Sequence, residues 1–104
     1  MAPAKMLIIM VDEGDTWKGL PLYEALIRRL IEHEIAGATA LSGVMGFGIH
    51  GRIHRRGVHG NGEAPIAVLS VDTEEKLRAV LPEIRPMVRE GVMFLSDVEV
   101  VPVA

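Results

Sequence analysis

Apolar residues in the first part of the chain follow two different spacings. Residues 5–11 consist of Lys5 followed by an unbroken apolar run that includes isoleucine and valine, which predicts a central strand buried on both faces. Pro21 suits the first turn of a helix, and the apolar residues after it recur at spacings of three and four. This stripe predicts an amphipathic helix that Gly37 would stop; its members are Leu22, Tyr23, Leu26, Ile27, Leu30 and Ile31.

Residues 38–47 predict the second strand, which ends in a glycine-rich stretch that contains Gly43, Gly46 and Gly48. These glycines match neither a Walker loop nor the dinucleotide-binding fingerprint. Residues 49–64 then form a long polar loop, part of which we expect to extend the flanking strands as a hairpin. A loop of this length in a small domain is usually functional. We therefore expect a binding site at the base of the loop.

Residues 65–71 are again apolar and predict the third strand. Asp72 or Thr73 then supplies an N-cap for a second helix. Pro82 and Pro86 fall inside its apolar stripe, which predicts a kink or two short helices instead of one straight helix. The stripe consists of Leu77, Val80, Leu81, Ile84, Met87 and Val88.

Gly91 ends this helix, and residues 92–103 predict a fourth strand with a bulge or break at residues 96–97. The order β-α-β-β-α-β, with right-handed crossovers, packs as a four-stranded antiparallel sheet with both helices on one face. This α+β arrangement is the ferredoxin-like fold. The other face of the sheet is apolar and has no helix to cover it, so we expect self-association to bury it.

Composition narrows the class of protein further. A chain of 104 residues, 49% of them apolar, suits one domain over residues 1–104. A net charge of −3 and an aromatic content of 4% disfavour a nucleic-acid partner. Without cysteine there is no thiol nucleophile and no Cys-ligated zinc. No apolar run is long enough to span a bilayer, so we expect a cytoplasmic protein without membrane insertion.

Candidate chemistry concentrates in the loop over residues 49–64. Its three arginines favour an anionic ligand such as a phosphate, or an acidic partner surface. Its three histidines raise the alternative of a metal site, although no zinc-protease motif contains them. In chain order these residues are His50, Arg52, His54, Arg55, Arg56 and His59.

Two features before the first helix are open to interpretation. Asp12, Glu13 and Asp15 place three carboxylates within four residues, which could hold a hard cation. Their spacing lacks the calcium-loop pattern, so a solvated turn is the simpler interpretation. Trp17, the one tryptophan, could face a subunit or a ligand, and we expect a core anchor.

The chain resembles, over nearly its whole length, the PII-like group called domain of unknown function 190. The resemblance rests on several short motifs in combination. They are Gly19-x-Pro21-Leu22-Tyr23-Glu24-Ala25, Gly37-Ala38-Thr39, Gly43-x-Met45-Gly46-Phe47-Gly48, Arg52-Ile53-His54, Val71-Asp72-Thr73-Glu74-Glu75-Lys76, Leu81-Pro82-Glu83 and Asp97-Val98-Glu99-Val100. The resemblance implies a ferredoxin-like homotrimer related to the PII signal-transduction proteins and to CutA.

The resemblance also implies where a ligand would bind. In PII proteins adenine nucleotides bind in clefts between subunits, at the base of the T-loop, which corresponds here to residues 49–64. PII proteins carry a Gly/Lys-rich phosphate-binding loop before the last strand, and here only Arg89 and Gly91 could serve in its place. The implied ligand-binding residues are therefore Gly46, Phe47, Gly48, Arg52, Arg89 and Gly91.

We expect from this a regulatory protein without catalytic residues. A small anionic ligand, with an adenine nucleotide as the implied candidate, would order the loop, and the loop would then bind a partner. The resemblance implies a membrane transporter or channel as that partner. The alternatives are a metal-binding, CutA-like trimer and a small phosphohydrolase of the acylphosphatase kind. The latter would need Asn61, the one asparagine, which lies in the loop, where preorganised catalysis is difficult.

Overall fold

The computed structural model describes residues 3–57 and 63–103. Its principal sheet has four strands, and every neighbouring pair is antiparallel. Two helices, α1 (Leu22–Glu32) and α2 (Glu74–Ile84), connect the strands. In spatial order the strands are β4 (Ala38–Ser42), β7 (Pro65–Thr73), β1 (Ala4–Asp12) and β8 (Val92–Val98). This is the α+β, ferredoxin-like fold that the apolar pattern predicts.

The helices pack on one face of the sheet because its strands alternate. Buried side chains occupy every second position of β1 and β7, and they face α1 and α2. The one buried polar side chain in the described ranges is Ser70, whose hydroxyl donates to the carbonyl of Gly37 over 2.6 Å. The fully buried sheet residues include Leu7, Ile9 and Val68.

Helix α1 confirms most of the predicted apolar stripe, but Ile31 is 68% exposed and Ala25 is buried instead. Gly37 does not end the helix. Glu34 adopts a left-handed conformation with φ of 57°. The amide of Glu34 donates to the carbonyl of Ile31, and the amide of Ile35 donates to that of Leu30. These two bonds form a Schellman motif, which satisfies the last carbonyls of the helix.

Thr73, the residue before α2, is its N-cap, and its hydroxyl accepts from the amide of Lys76. Pro82 lies inside the helix without ending it. The predicted division of the helix occurs after Ile84, where a 3₁₀ turn, Arg85–Met87, follows α2 and contains Pro86 in its first residues. All six members of the predicted stripe are buried or half-buried.

Residues 16–21 form a small hairpin of β2 (Thr16–Trp17) and β3 (Leu20–Pro21). Lys18 and Gly19 at its turn both have positive φ, 49° and 85°, as a two-residue type I′ turn requires. Trp17 is half-buried against the core, and the ammonium of Lys18 lies 5.5 Å from its ring centroid. The expectation of a core anchor is therefore confirmed.

Strand β8 is shorter and more regular than predicted. It ends at Val98, and residues 99–103 carry no regular structure. The predicted bulge at residues 96–97 is wrong, because Ser96 and Asp97 keep the register with Met6 and Lys5 of β1. Continuous pairing leaves no extra residue on either strand.

The face of the sheet away from the helices has no covering element among the described residues. Cross-strand rows of apolar side chains run over it, for example Phe94 beside Ile8 and Ile8 beside Leu69. Met10, Leu41, Val92 and Phe94 on this face are each between 43% and 52% exposed. Apolar surface of this extent is typical of an association site.

Asp72 joins the segment after α1 to the start of α2. One of its carboxylate oxygens accepts from the amide of Thr73 over 2.6 Å, and the other accepts from the amide of Ala36 over 2.9 Å. The ammonium of Lys76 lies 3.3 Å away. Burial raises the pKa of Asp72, but the two amides and Lys76 outweigh burial and hold this pKa below its ordinary value.

We predict that Asp72→Asn removes pH-dependent stability. Because the folded-state pKa is lowered, Asp72 stabilises the protein above its unfolded pKa of 3.8, and this contribution is lost as the pH falls through the folded pKa. Urea unfolding at about pH 7 should show a loss of about 1–3 kcal/mol in the variant. The difference from the original protein should shrink below about pH 4. Asp97→Asn, at an exposed carboxylate, is the control and should change stability less. An equal difference at both pH values would contradict the prediction.

Candidate functional site

The predicted strand over residues 38–47 is divided at Gly43 and Val44. The amide of Gly43 donates to the carbonyl of Pro65 over 2.7 Å, and the chain then turns away from the sheet into β5 (Met45–Phe47). A Cβ atom at position 43 would lie 2.8 Å from Cγ of Pro65. Glycine is therefore required for the chain to pass the start of β7 at this distance.

β5 pairs with β6 (Ile53–Arg55) as an antiparallel hairpin, in which Gly46 lies opposite His54. The amide of Gly51, with φ of 70°, donates to the carbonyl of Gly48 and closes the turn. The expected loop over residues 49–64 thus begins as an ordered hairpin, as expected. The hairpin forms its own two-stranded sheet, however, and does not extend β4 or β7 of the main sheet. We call residues 44–57 the base hairpin. His59 and Asn61 lie outside the described residues.

The base hairpin and one end of the main sheet enclose a cleft of about 890 Å³. Five of the six implied ligand-binding residues line it: Gly46, Phe47, Gly48, Arg52 and Gly91. The sixth, Arg89, is exposed and is not part of the lining. Residues from β1, β4, β7 and the segment before β8 complete the wall. A volume of this size suits a small-molecule ligand.

The neighbours of Gly91 in the cleft wall leave no room for a side chain at this position. A Cβ atom there would lie 2.4 Å from the carbonyl oxygen of Met10 and 3.1 Å from a methyl carbon of Val88. Any side chain would force β1 and the segment before β8 apart. Gly91 does not end the second helix as predicted, since α2 ends at Ile84 and the 3₁₀ turn at Met87. The role of Gly91 is instead to permit a close approach to the central strand.

Two histidine–carboxylate pairs lie in the cleft, and sequence reasoning missed both. The Nδ1 atom of His54 lies 3.5 Å from a carboxylate oxygen of Asp12, and Nε2 of His50 lies 3.5 Å from one of Glu90. His54 is largely buried, with its side chain 17% exposed, whereas His50 is exposed. The partners are about forty residues apart in each pair, and no local sequence signal marks such a pairing.

The histidines do not assemble a metal site in the part of the chain that the structure describes. Within those residues no three histidine, cysteine or acidic side chains lie close enough to share a metal ion. His50 and His54 each face a different carboxylate. The third residue of the metal alternative, His59, is outside the described ranges, so this alternative is untested.

The acidic cluster at the end of β1 is a structured turn. A carboxylate oxygen of Asp15 accepts from the amide of Asp12 over 3.0 Å. Glu13 and Ala64 bond to each other twice, through the amide of Glu13 and the carbonyl of Ala64 and through the amide of Ala64 and the carboxylate of Glu13. These bonds support the simpler interpretation of the cluster and hold the returning chain against the end of β1.

The charges in the cleft are mixed. Arg52 is the one arginine or lysine in the lining, while Asp12, Asp15 and Glu90 contribute three carboxylates. Arg52 suits a phosphate or carboxylate group of a ligand. The carboxylates of Asp12 and Glu90 suit hydrogen-bond donors such as hydroxyl or amino groups. The cleft therefore fits a ligand with both kinds of group better than a simple polyanion.

The described residues contain no helix that is long and apolar enough to cross a membrane.

The fold is similar to that of PII-like and CutA proteins. Among solved structures, CPII from Thiomonas intermedia K12, a nitrogen regulatory PII-like protein bound to ADP, AMP and bicarbonate, has a TM-score of 0.73 and is 24% identical. That likeness covers 94% of this chain and 88% of CPII. CutA1 from Ehrlichia chaffeensis has a TM-score of 0.66 at 14% identity, over 98% of this chain and 87% of CutA1.

The sequence defines the family more narrowly. Residues 4–100 match the family DUF190, described as an uncharacterized ACR, and the chain belongs to this family. A UPF0166 protein of Methanocaldococcus jannaschii is 31% identical, over 96% of this chain and 94% of the relative. A UPF0166 protein of Aquifex aeolicus is 32% identical, over 93% of this chain and 92% of the relative. The resemblance inferred from the motifs is thereby confirmed.

We predict that Gly43→Ala shifts the base hairpin and destabilises the protein. Its Cβ atom would meet Cγ of Pro65 at 2.8 Å, and an added methyl group in such a contact typically costs about 1–3 kcal/mol. Gly48→Ala is the matched control, since a Cβ atom there meets nothing within 4 Å. Urea unfolding of both variants tests the prediction. Equal midpoints for the two variants would contradict it.

Proposed function

We propose that this protein is a PII-like regulatory protein that binds an adenine nucleotide in the cleft and signals through the base hairpin. The observation that carries the proposal is the convergence of Arg52, the glycine-rich hairpin and Gly91 on one cleft. CPII, whose fold this chain shares, is described as bound to ADP and AMP, which supports the choice of ligand.

The charges of the cleft favour a nucleotide of low charge. Arg52 would contact a phosphate group, and the ribose hydroxyls and the adenine amino group are donors that Asp12 and Glu90 can accept. Three carboxylates in the lining would repel additional phosphates. AMP and ADP should therefore bind more tightly than free ATP, and magnesium should improve the binding of ATP by neutralising part of its charge.

The base hairpin would transmit the effect of ligand binding to a partner protein. Arg52 stands between the hairpin turn and β6, so a ligand held by its guanidinium would restrain both. Ordering of a loop by a ligand is an established switching mechanism. The partner in this proposal is a membrane transporter or channel, as the resemblance to PII proteins implies, and the protein acts from the cytoplasm by binding and not by catalysis.

The proposal includes a homotrimer formed through the open face of the sheet. The apolar rows around Ile8, Leu69 and Phe94 are half-buried or exposed in the single chain, and burying them in a subunit interface would be favourable. The cleft lies at the edge of this face, because Met10, Leu41 and Val92 belong to both. A neighbouring subunit would therefore also border the ligand.

We predict a saturable increase in thermal stability with AMP and ADP. A ligand that binds only the folded state stabilises it by about 2.7 kcal/mol at about a hundredfold excess over its Kd. Arg52→Ala should weaken binding at least about tenfold, the loss of one charge-assisted hydrogen bond. Arg28→Ala, on α1 and paired with Glu24, should leave binding unchanged. No response to either nucleotide would remove the proposed ligand, and an equal response in the Arg52 variant would remove the proposed site.

We also predict that Phe94→Glu dissociates the trimer, because it places a charge in the proposed subunit interface. Light scattering coupled to gel filtration should give three times the chain mass of 11.3 kDa for the original protein and a lower mass for the variant. Ile31→Glu, at a 68% exposed position on α1, should keep the trimer. Circular dichroism verifies that both variants fold. A trimeric Phe94 variant would contradict the proposed interface.

A further inference from the structure

The base hairpin has an exposed outer face that only partly borders the cleft: Met45 and Phe47 of β5 belong to the cleft lining, whereas Ile53 and Arg55 of β6 do not. Side chains directly opposite each other in a hairpin lie on the same side, and the pairs are Met45 with Arg55 and Phe47 with Ile53. All four are exposed, whereas Gly46 and His54 on the other side are half-buried against the body of the protein. The apolar positions are strongly exposed: Phe47 is 78% and Ile49, at the turn, 88% accessible.

The charge of the base hairpin differs from that of the rest of the chain. Residues 44–57 contain Arg52, Arg55 and Arg56 and no acidic residue. The chain as a whole carries a net charge of −3. The residues outside the base hairpin therefore carry a more negative net charge than the whole chain. The protein therefore presents one basic and apolar projection on a negatively charged body, which would orient it toward a negatively charged surface.

We propose that the base hairpin binds the surface of anionic phospholipid membranes. Its arginines would contact lipid phosphates, while Phe47, Ile49 and Ile53 would enter the boundary between headgroups and acyl chains. The hydrocarbon stems of the arginines can lie along this boundary with their guanidinium groups in the headgroup layer. The hairpin would adsorb to one leaflet without spanning the bilayer. Phe47, Ile49 and Arg52 also line the cleft, whereas Ile53, Arg55 and Arg56 do not. The proposal itself does not require a bound nucleotide.

The distribution of side chains favours a lipid surface over a protein partner. Protein interfaces place apolar residues at the centre and charges at the rim. Here apolar and basic residues are interspersed through the turn and β6, where Ile49, Arg52, Ile53 and Arg55 occur within seven residues. A second copy of this chain has a separate apolar surface to bind, the open face of the sheet. Interleaved arginine and apolar side chains instead match the mixed polarity of a membrane interface.

Sedimentation with lipid vesicles tests the proposal. Vesicles of phosphatidylcholine mixed with phosphatidylglycerol should bind the protein at about 0.1 M salt, and about 1 M salt should release it because the Debye length falls to roughly 3 Å. Vesicles of phosphatidylcholine alone should bind it weakly. Since each basic side chain near an anionic surface contributes about a fivefold factor, Arg55→Gln with Arg56→Gln should weaken binding about 25-fold. Neither residue lines the cleft.

Two further variants separate the proposal from its alternatives. Arg28→Gln with Arg85→Gln removes the same charge from exposed positions on the helical side and should retain binding. Trp17→Phe with Ile53→Trp leaves one tryptophan in the outer face, and its fluorescence should shift to the blue only with anionic vesicles.

Absence of vesicle binding, equal binding to neutral and anionic vesicles, or equal weakening by both arginine pairs would overturn the proposal. So would the tryptophan shift occurring on self-association without lipid, since that result would assign the face to a second copy.

Discussion

The structure depends on β1 being hydrogen-bonded along both of its edges. Residues 4–12 pair with β7 on one side, and residues 4–10 pair with β8 on the other. A strand held in this way cannot rotate, so its alternating side chains are committed to opposite faces. Leu7, Ile9 and Val11 enter the helix-covered core. Their neighbours on the strand are turned to a face without helices, which creates the apolar surface proposed as the subunit interface.

The cleft follows from the way three strands end at one place. Asp12 of β1 is paired with Pro65, the first residue of β7, and Gly43 at the end of β4 donates to the carbonyl of the same proline. Proline has no amide hydrogen to offer to a further strand, yet its carbonyl still accepts. The chain beyond Gly43 therefore leaves the sheet and pairs with β6 instead, and the space between the hairpin and the sheet remains open.

The base hairpin has two sides with different chemistry. On the inner side His54 faces Asp12, and Gly46 lies opposite His54 in the hairpin. On the outer side apolar and basic side chains are exposed. Arg52 lies near the turn and also lines the cleft, so the proposed ligand site and the proposed lipid surface share one short element. Any ligand that changes the hairpin would then change what its outer face can bind, and the reverse coupling must have the same free energy.

Sequence alone determined the elements that depend on repeating spacing. The central strands, the buried stripe of α2, the fold and the family all follow from local periodicity and short motifs. The sequence-based predictions were wrong where the burial or the conformation of a single residue depends on contacts with other parts of the structure. Ile31 has the right spacing for burial but is 68% exposed. Helix α1 ends before Gly37 because the amides of Glu34 and Ile35 already bond to the carbonyls of Ile31 and Leu30. The glycine-rich stretch and Arg52 were identifiable as a candidate site. Gly91 was grouped with them through the family resemblance. The meeting of these residues with Asp12 and Glu90 was decided only by tertiary structure, because sheet pairing, and not sequence distance, sets which loops share one end of the fold.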